Sequence, residues 1–402
     1  MHDAPTGLEL GTLLAAAEDA SPAEAVPTVA RHLEESLGVA GVDYRIADAA
    51  GQALLRLSDG EQRSTHAGPV SRAWREQRVV GPDESDDGRW WVPVTVRGDA
   101  LGLLEVHPGA QRRGDGFGRE LATVAHLLGY LTVANQRHTD AYETARRSEP
   151  FDLAIEIQRR LLPQAFVCEG GSFSLAGWLE PSSTAGGDTF DYIASADRLS
   201  VGLVDAVGHD VRAAVLATLT VNALRNVRRQ GADLQEQADE AHRVLDRHST
   251  GEQFATGVLL ELPLTGAGRA DGGVACRVVN AGHPQVRRVR DGEVVHLDVP
   301  PDPPFGMPLP RDRQGYAVHD VELQPGDRLV LLTDGMFERS ASDLDLDGLL
   351  RRGAGEHPRN AAQDLAAAFR DHVGTPQDDA TFVILDWHGG TTSRRTSGGA
   401  DS

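Results

Sequence analysis

Positive charge is scarce in this chain. Lys and Arg total 39 against 60 Asp and Glu, a formal net charge of −21 over 402 residues. Nucleic-acid backbones are held by a Lys/Arg surplus, so this balance argues against a nucleic-acid partner, and equally against docking on anionic lipid. Cysteine is nearly absent. Cys168 and Cys276 support neither a disulfide framework nor a thiolate zinc site, and both are expected to be reduced and buried. Long apolar runs are missing too: none approaches the ~18 residues of a membrane span. The longest candidate, Leu121–Ala134, is interrupted by His126 and reads as an amphipathic helix. The opening MHDAPTGLEL has no basic stretch followed by an apolar core, so neither a signal peptide nor a membrane role is expected, and the location expected is cytoplasmic. Aromatics make up only 5% of the chain, whereas 44 Gly and 21 Pro announce many turns. A chain of this length divides into two or three domains.

Residues 1–8 read as a loose tail. Ser21-Pro22-Ala23-Glu24 has capping-box spacing, and Val26, Val29, Ala30, Leu33 and Leu37 then share one helical face, with Pro27 interrupting its start. Short strand patterns follow, and Trp90–Val96 with Ala100–His107 reads as a hairpin around Arg97-Gly98-Asp99. Leu121, Val124, Leu128 and Leu131 then fall at 3-4-3 spacing, continued by the polar Asn135, His138 and Tyr142. That spacing suits a helix packed on its own domain and equally a parallel coiled coil across a homodimer, with Asn135 fixing register. The dimer is the sharper expectation. Pro150 ends this stretch, and a further helix reads at Phe151–Leu162. The domains expected are 8–135, a helical linker over 118–163 that overlaps the first domain's exit helix, 164–387, and a disordered tail over 388–402. Runs of antiparallel strand patterns with helices grouped between them make the fold class α+β.

Four segments of the 164–387 domain place aspartate beside glycine or at a strand end. They are Gly186-Gly187-Asp188-Thr189-Phe190-Asp191, Val201–His209 around Asp205, Leu331–Gly335 around Asp334, and Asp378-Asp379-Ala380-Thr381. Each alone is ordinary turn chemistry. Together they say more. Asp205 and Asp334 each follow a run of four or five apolar residues, which carries a carboxylate to the rim of a buried sheet, where an unpaired charge is costly. Divalent cations offset that cost. Mg2+ and Mn2+ take oxygen ligands, and two ions about 3.5–4 Å apart can activate a water for attack on phosphorus. No zinc-type His/Cys spacing and no GxSxG elbow competes with this chemistry.

These segments, together with Asn280-Ala281-Gly282-His283 and Pro325-Gly326-Asp327, resemble in order the motif series of the PPM (PP2C-like) phosphatases. They fit the bacterial sporulation-regulator and stress-response branch (SpoIIE/RsbU type). Gln158-Arg159-Arg160-Leu161-Leu162-Pro163 resembles the segment that leads into those domains, so the resemblance covers about 155–387. It implies an α-β-β-α sandwich, two Mn2+ or Mg2+ ions, and hydrolysis of phosphoserine or phosphothreonine in a protein. It further implies that the substrate is a phosphorylated anti-sigma-factor antagonist, or a similar partner-switching protein. By the same resemblance Asp205 bridges the two ions, Asp188 and the Ala206 carbonyl serve one, and Asp334 and Asp378 serve the other. Asp191 and Asp379 are implied to lie around them. Asn280 and His283 read as a turn or as site lining, and His209 as an acid near the leaving oxygen or a helix-start residue.

Three features depart from the family pattern: Asp210 follows Gly208-His209 where a small residue is usual, Ala206 stands where Val, Gly or Ser is frequent, and the phosphate-gripping arginine of the eukaryotic branch has no counterpart. The 8–135 unit resembles a GAF domain, which implies a sensory pocket for a small ligand. Gly186-Gly187-Asp188-Thr189-Phe190 also resembles the GGDEF signature of cyclases, although Thr stands in place of Glu. Two further functions are compatible with the same fold: a non-catalytic phosphoprotein-binding module, and a dimeric scaffold with a vestigial phosphatase.

Overall fold

The computed structural model describes residues 9–48, 51–85, 88–109, 116–147, 152–182, 186–208, 210–248, 253–265, 272–311, 314–337, 341, 343–374 and 376–389. The tail read at 1–8 and residues 390–402 of the tail read at 388–402 lie outside the described residues, as does His209. The chain divides into two compact units between Pro150 and Phe151. No described helix is long and apolar enough to cross a membrane.

The first unit opens with α1 (Leu10–Asp19) and α2 (Ala25–Leu37). It continues with β1 (Gly41–Ala47), β2 (Ala53–Arg56), β3 (Gln62–Ser64), α3 (Gly68–Glu76), β4 (Trp90–Val96), β5 (Asp99–His107), α4 (Phe117–Asn135) and α5 (Ala141–Ala145). Its five strands form one antiparallel sheet in the order β3-β2-β1-β5-β4. The apolar face read on α2 is buried, and Pro27 falls in the first helical turn, where a missing N–H breaks no intrahelical bond. α1 carries too weak a pattern to be read from sequence: only Leu13 and Ala17 are buried, while Leu10 and Leu14 face solvent.

The Leu121 seam is used differently from the dimer expectation. Leu121, Val124 and Leu128 are fully buried in their own unit, packed with Val92 and Val94 of β4, Leu104 of β5 and Leu33 of α2. Gly129 brings α4 so close to β4 that a Cβ there would lie 2.8 Å from Val96. The helix stops at Asn135, whose amide donates to the Leu131 carbonyl of its own helix. Tyr142 sits on the separate α5 and donates its hydroxyl to the Pro22 carbonyl. The seam residues therefore offer no free apolar stripe for a coiled coil. Heptad spacing and the spacing of a helix lying on a sheet coincide over two turns.

The second unit contains α6 (Leu153–Leu161), β6 (Val167–Glu169), β7 (Phe173–Glu180), β8 (Asp188–Ala194), β9 (Arg198–Ala206), α7 (Asp210–Arg229), α8 (Leu234–His248), β10 (Ala255–Pro263) and β11 (Val274–Ala281). Then come β12 (Arg287–Arg290), β13 (Glu293–His296), β14 (His319–Leu323), β15 (Arg328–Leu332), a single 3-10 turn (Asp334–Phe337), α9 (Leu346–Arg352), α10 (Pro358–Val373) and β16 (Ala380–Trp387). Two antiparallel sheets result, β14-β11-β10-β9-β8 and β13-β12-β15-β16-β7-β6. Alternate residues of each strand feed two different cores. On β9, Leu199, Val201 and Leu203 meet Leu329, Leu331 and Val383 of the other sheet. Val204 and Ala206 instead meet Leu216, Val221 and Leu245 of α7 and α8. Val330 and Leu332 of β15 pack against Leu350, Leu365 and Phe369 of α9 and α10. The layers are therefore helix, sheet, sheet, helix, as the α-β-β-α expectation has it. The short β6 and the edge strand β8 carry no strand pattern clear enough to read from sequence, and the paired glycines at 186–187 give the β8 segment the look of a loop.

Truncating a fully buried leucine costs about 2–5 kcal/mol. Leu128→Ala is therefore expected to lower the urea midpoint of the first unit while leaving the mass measured by light scattering unchanged. A variant that dissociates a dimer without losing stability would restore the coiled-coil reading.

Candidate metal centre

β8 and β9 are adjacent and antiparallel, and Asp188 stands directly opposite Asp205 in their register. Directly opposed residues of such a pair share a face. Both carboxylates therefore point to the side on which Phe190 and Leu203 enter the core between the sheets. Asp188 is 2% exposed and Asp205 is half-buried, whereas Asp334 and Asp378 face solvent. β15 delivers Thr333 to the same rim. Its hydroxyl donates to Asp188 Oδ2 at 2.7 Å and accepts from the Thr381 amide at 2.9 Å. Asp334 follows at the start of the 3-10 turn. Gly335 is required there, because a Cβ would lie 2.0 Å from the Asp379 carbonyl.

The electrostatics show that these acids act on one another. Burial first, then the carboxylates of Asp205 and Asp379, push the Asp188 carboxyl well above its usual range, against the opposing hydrogen bonds of Thr333 and Thr381. Asp205 is pushed up to about 8 by burial and then by Asp334, Asp378 and Asp379, while its hydrogen bond with Asp188 acts the other way. Asp378 is raised as well, by burial first, with Asp379 and Asp334 adding. Five carboxylates thus converge on one edge of the sandwich, and the neighbouring charges that raise Asp188 and Asp205 most are other carboxylates.

The remaining candidates divide. Asp379 is buried and fully engaged: Oδ1 accepts from the Ser182 amide at 2.8 Å, and Oδ2 accepts from the Gly186 amide at 3.0 Å and from Gln158 Nε2 at 2.6 Å. It braces the segment that carries Asp188. Asp191 does not reach this edge. Three residues along a strand is an odd step, so it points to the opposite face of β8. There it pairs with Arg225 at 2.9 Å and Arg228 at 2.8 Å, both on α7. Asn280 and His283 form a turn, with the Asn280 side chain accepting from the His283 amide at 2.8 Å and donating to its carbonyl at 3.1 Å. The His283 ring lies 2.9 Å from the Thr256 hydroxyl, and Thr256 stands opposite Asp205 on β10. Burial drives His283 down to about 3, so the ring is neutral. Ala206 buries its side chain under α7 and α8. Gly187 lies so close that a Cβ would meet the Ala206 carbonyl oxygen at 2.4 Å.

Sequence reasoning missed Gln158, Thr333 and Thr256. Thr333 adjoins a motif aspartate, a signal that could have found it. Gln158 stands in the segment that resembles the entry to those domains, but it and Thr256 act through partners distant in the chain, and nothing local shows those contacts. Elsewhere, in the first unit, Asp43, Glu105 and His107 bring ligand atoms within 4.8 Å of one another. There, however, Glu105 is already answered by Arg45 at 2.5 Å and by Arg89.

Residues 195–388 match the family model described as Stage II sporulation protein E (SpoIIE). The matched segment lies within the second unit. Asp205, Asp334, Asp378 and Asp379 lie inside the matched segment, and Asp188 lies just before it. Solved structures similar to this chain include the following three. The first comprises the RsbU and RsbW domains of a Mycobacterium tuberculosis protein, at 25% identity over 57% of this chain and 62% of that one, with a TM-score of 0.47. The second is the PP2C phosphatase domain with a fragment of the regulatory domain of the cell fate determinant SpoIIE from Bacillus subtilis, at 19% identity over 54% and 64%, with a TM-score of 0.45. The third is the SiaA-PP2C domain of Pseudomonas aeruginosa, at 22% identity over 58% and 93%, with a TM-score of 0.46. The match thus spans less than two thirds of the length of the first two.

The donor set at this rim fits a hard divalent cation: oxygen only, several negative charges, and an open side where Asp334 and Asp378 meet solvent. Without a cation the crowding has a stability signature. Asp188 and Asp205 hold protons in the folded protein that they release when it unfolds. The contribution of Asp205 is therefore full below the ordinary value of 3.8 and is lost as the pH rises towards about 8, and that of Asp188 falls with rising pH in the same sense. In chelator at pH 8, Asp205→Asn is expected to stabilise the protein by about 1.4 kcal/mol or more, the worth of one pKa unit. At pH 4 it should change little. Urea unfolding at the two pH values checks this, and destabilisation at pH 8 would contradict the crowding.

Proposed function

We propose that the second unit is a metal-dependent protein-serine/threonine phosphatase of the PPM type. The observation that carries this reading is the meeting of Asp188, Asp205, Asp334 and Asp378 at one rim, with other carboxylates as the charges that act on them. Asp205 would hold both ions, Asp188 and the Ala206 carbonyl one of them, and Asp334 and Asp378 the other. Two such ions supply a positioned, acidified water and charge stabilisation at phosphorus.

The chain's own contribution is positioning. Thr333 fixes one oxygen of Asp188, Asp379 fixes the backbone around it, and the sheet register fixes Asp188 against Asp205. Asp334 and Asp378 stand at the open side, where a phosphorylated side chain on a protein surface has access. The substrate proposed is a phosphorylated anti-sigma-factor antagonist, which rests on the motif resemblance. Gly186-Gly187 leads into a sandwich edge strand whose Asp188 meets Asp205, and cyclase chemistry gives that pairing no role.

The first unit, a five-stranded antiparallel sheet flanked by helices, is proposed as a GAF-type sensory domain for a small ligand. Its regulatory effect is best tested by removing residues 1–150. A cut at 117 strips α4 of the sheet that buries Leu121, Val124 and Leu128.

Chelation is expected to abolish p-nitrophenyl phosphate hydrolysis, and Mn2+ to restore it. Asp205→Asn should lower kcat by about 1,000-fold or more, because one carboxylate serves both ions. Full activity in chelator, or in that variant, would refute the assignment.

A further inference from the structure

We propose that Gln158 is a positioning residue for this metal centre, an inference that rests on the reading of the centre as a two-metal phosphatase site. Gln158 lies on α6 and is 1% exposed. Its Nε2 donates to the Asp188 carbonyl at 2.9 Å and to Asp379 Oδ2 at 2.6 Å. Asp379 Oδ2 in turn accepts from the Gly186 amide at 3.0 Å and faces the Asp188 amide at 3.5 Å. One side-chain amide therefore grips the backbone of Asp188 on both sides, its carbonyl directly and its N–H through Asp379. α6, the segment entering β8 and the segment entering β16 all meet at this group.

The contact is chemical as well as steric. Both neighbours are acceptors, so only the NH2 end of the amide can face them. Gln158 Oε1, buried at the other end, has no hydrogen-bond partner among the described residues. A leucine would fill the same space without that cost. What the glutamine alone supplies is a donor to two acceptors beside a carboxylate cluster. Asp379 is 2% exposed and already raises the pKa of Asp188. Without its shortest donor it is left with backbone amides and is free to shift, and Asp188 shifts with it. Side chains that orient metal ligands in this way set metal affinity, typically by about 10–100-fold.

The test uses the full-length protein and Mn2+ alone, titrated calorimetrically after removal of metal. Gln158→Leu is expected to weaken Mn2+ binding at least about tenfold. Hydrolysis of p-nitrophenyl phosphate should need correspondingly more Mn2+ and recover most of its kcat at saturation. Gln158→Asn keeps the amide but is one methylene short of both acceptors, and it should weaken binding too. It decides the matter if the leucine variant does not fold. Leu365→Ala, on α10 in the core under the other sheet, serves as the control: it should lower the melting temperature at least as much and leave Mn2+ affinity unchanged. Wild-type Mn2+ affinity in both Gln158 variants would overturn the proposal, as would an equal loss in Leu365→Ala, since either makes Gln158 a packing residue only. A wild-type protein that binds no Mn2+ would overturn the two-metal reading itself, and the role of Gln158 with it.

Discussion

Carboxylates that face one another across neighbouring strands repel, and burial removes the water that would screen them. Asp188 and Asp205 are placed in that situation by strand register, and Asp334, Asp378 and Asp379 add to it. Most of what surrounds the rim follows from this constraint. Two sheets must present their ends together, because β8 and β9 belong to one sheet while β15 and β16 belong to the other. The loops must also approach very closely, hence glycine at 335 against the Asp379 carbonyl and at 187 against the Ala206 carbonyl.

The cluster is held by groups that are themselves well satisfied. Asp379 receives two backbone amides and a side-chain amide. Thr333 bridges Asp188 to the amide of Thr381 on β16. His283, neutral and buried, reaches the strand beside Asp205 through Thr256. The four candidate metal ligands remain the less satisfied members. Such an arrangement gives up stability in the metal-free state and regains it when cations bind, since a ligand for the folded state alone stabilises by mass action. Asp191 shows the contrast. One strand face away from Asp188, it meets two arginines and is an ordinary ion pair.

Much of this is legible in the sequence because the signals are local. Apolar runs that end in Asp205 and Asp334 mark strand ends, the α2 stripe marks a helix, and Arg97-Gly98-Asp99 marks the turn between β4 and β5. The failures have physical causes. Asp191 groups with Asp188 as long as the segment reads as a loop, and the odd-step rule for opposite faces applies only once β8 is known to be a strand. The seam on α4 has a spacing shared by two packing modes, and only the presence of β4 beneath it separates them. Gln158 reaches Asp379 across 221 residues, a relation that no window of sequence displays.

The central claim is that the rim carboxylates exist to hold two hard cations. Anomalous diffraction from crystals grown with Mn2+ tests it most directly. The expected result is two peaks about 3.5–4 Å apart, with Asp205 between them, Asp188 on one side and Asp334 and Asp378 on the other. No peak at this rim, or Mn2+ found only at Asp43, Glu105 and His107, would contradict the account.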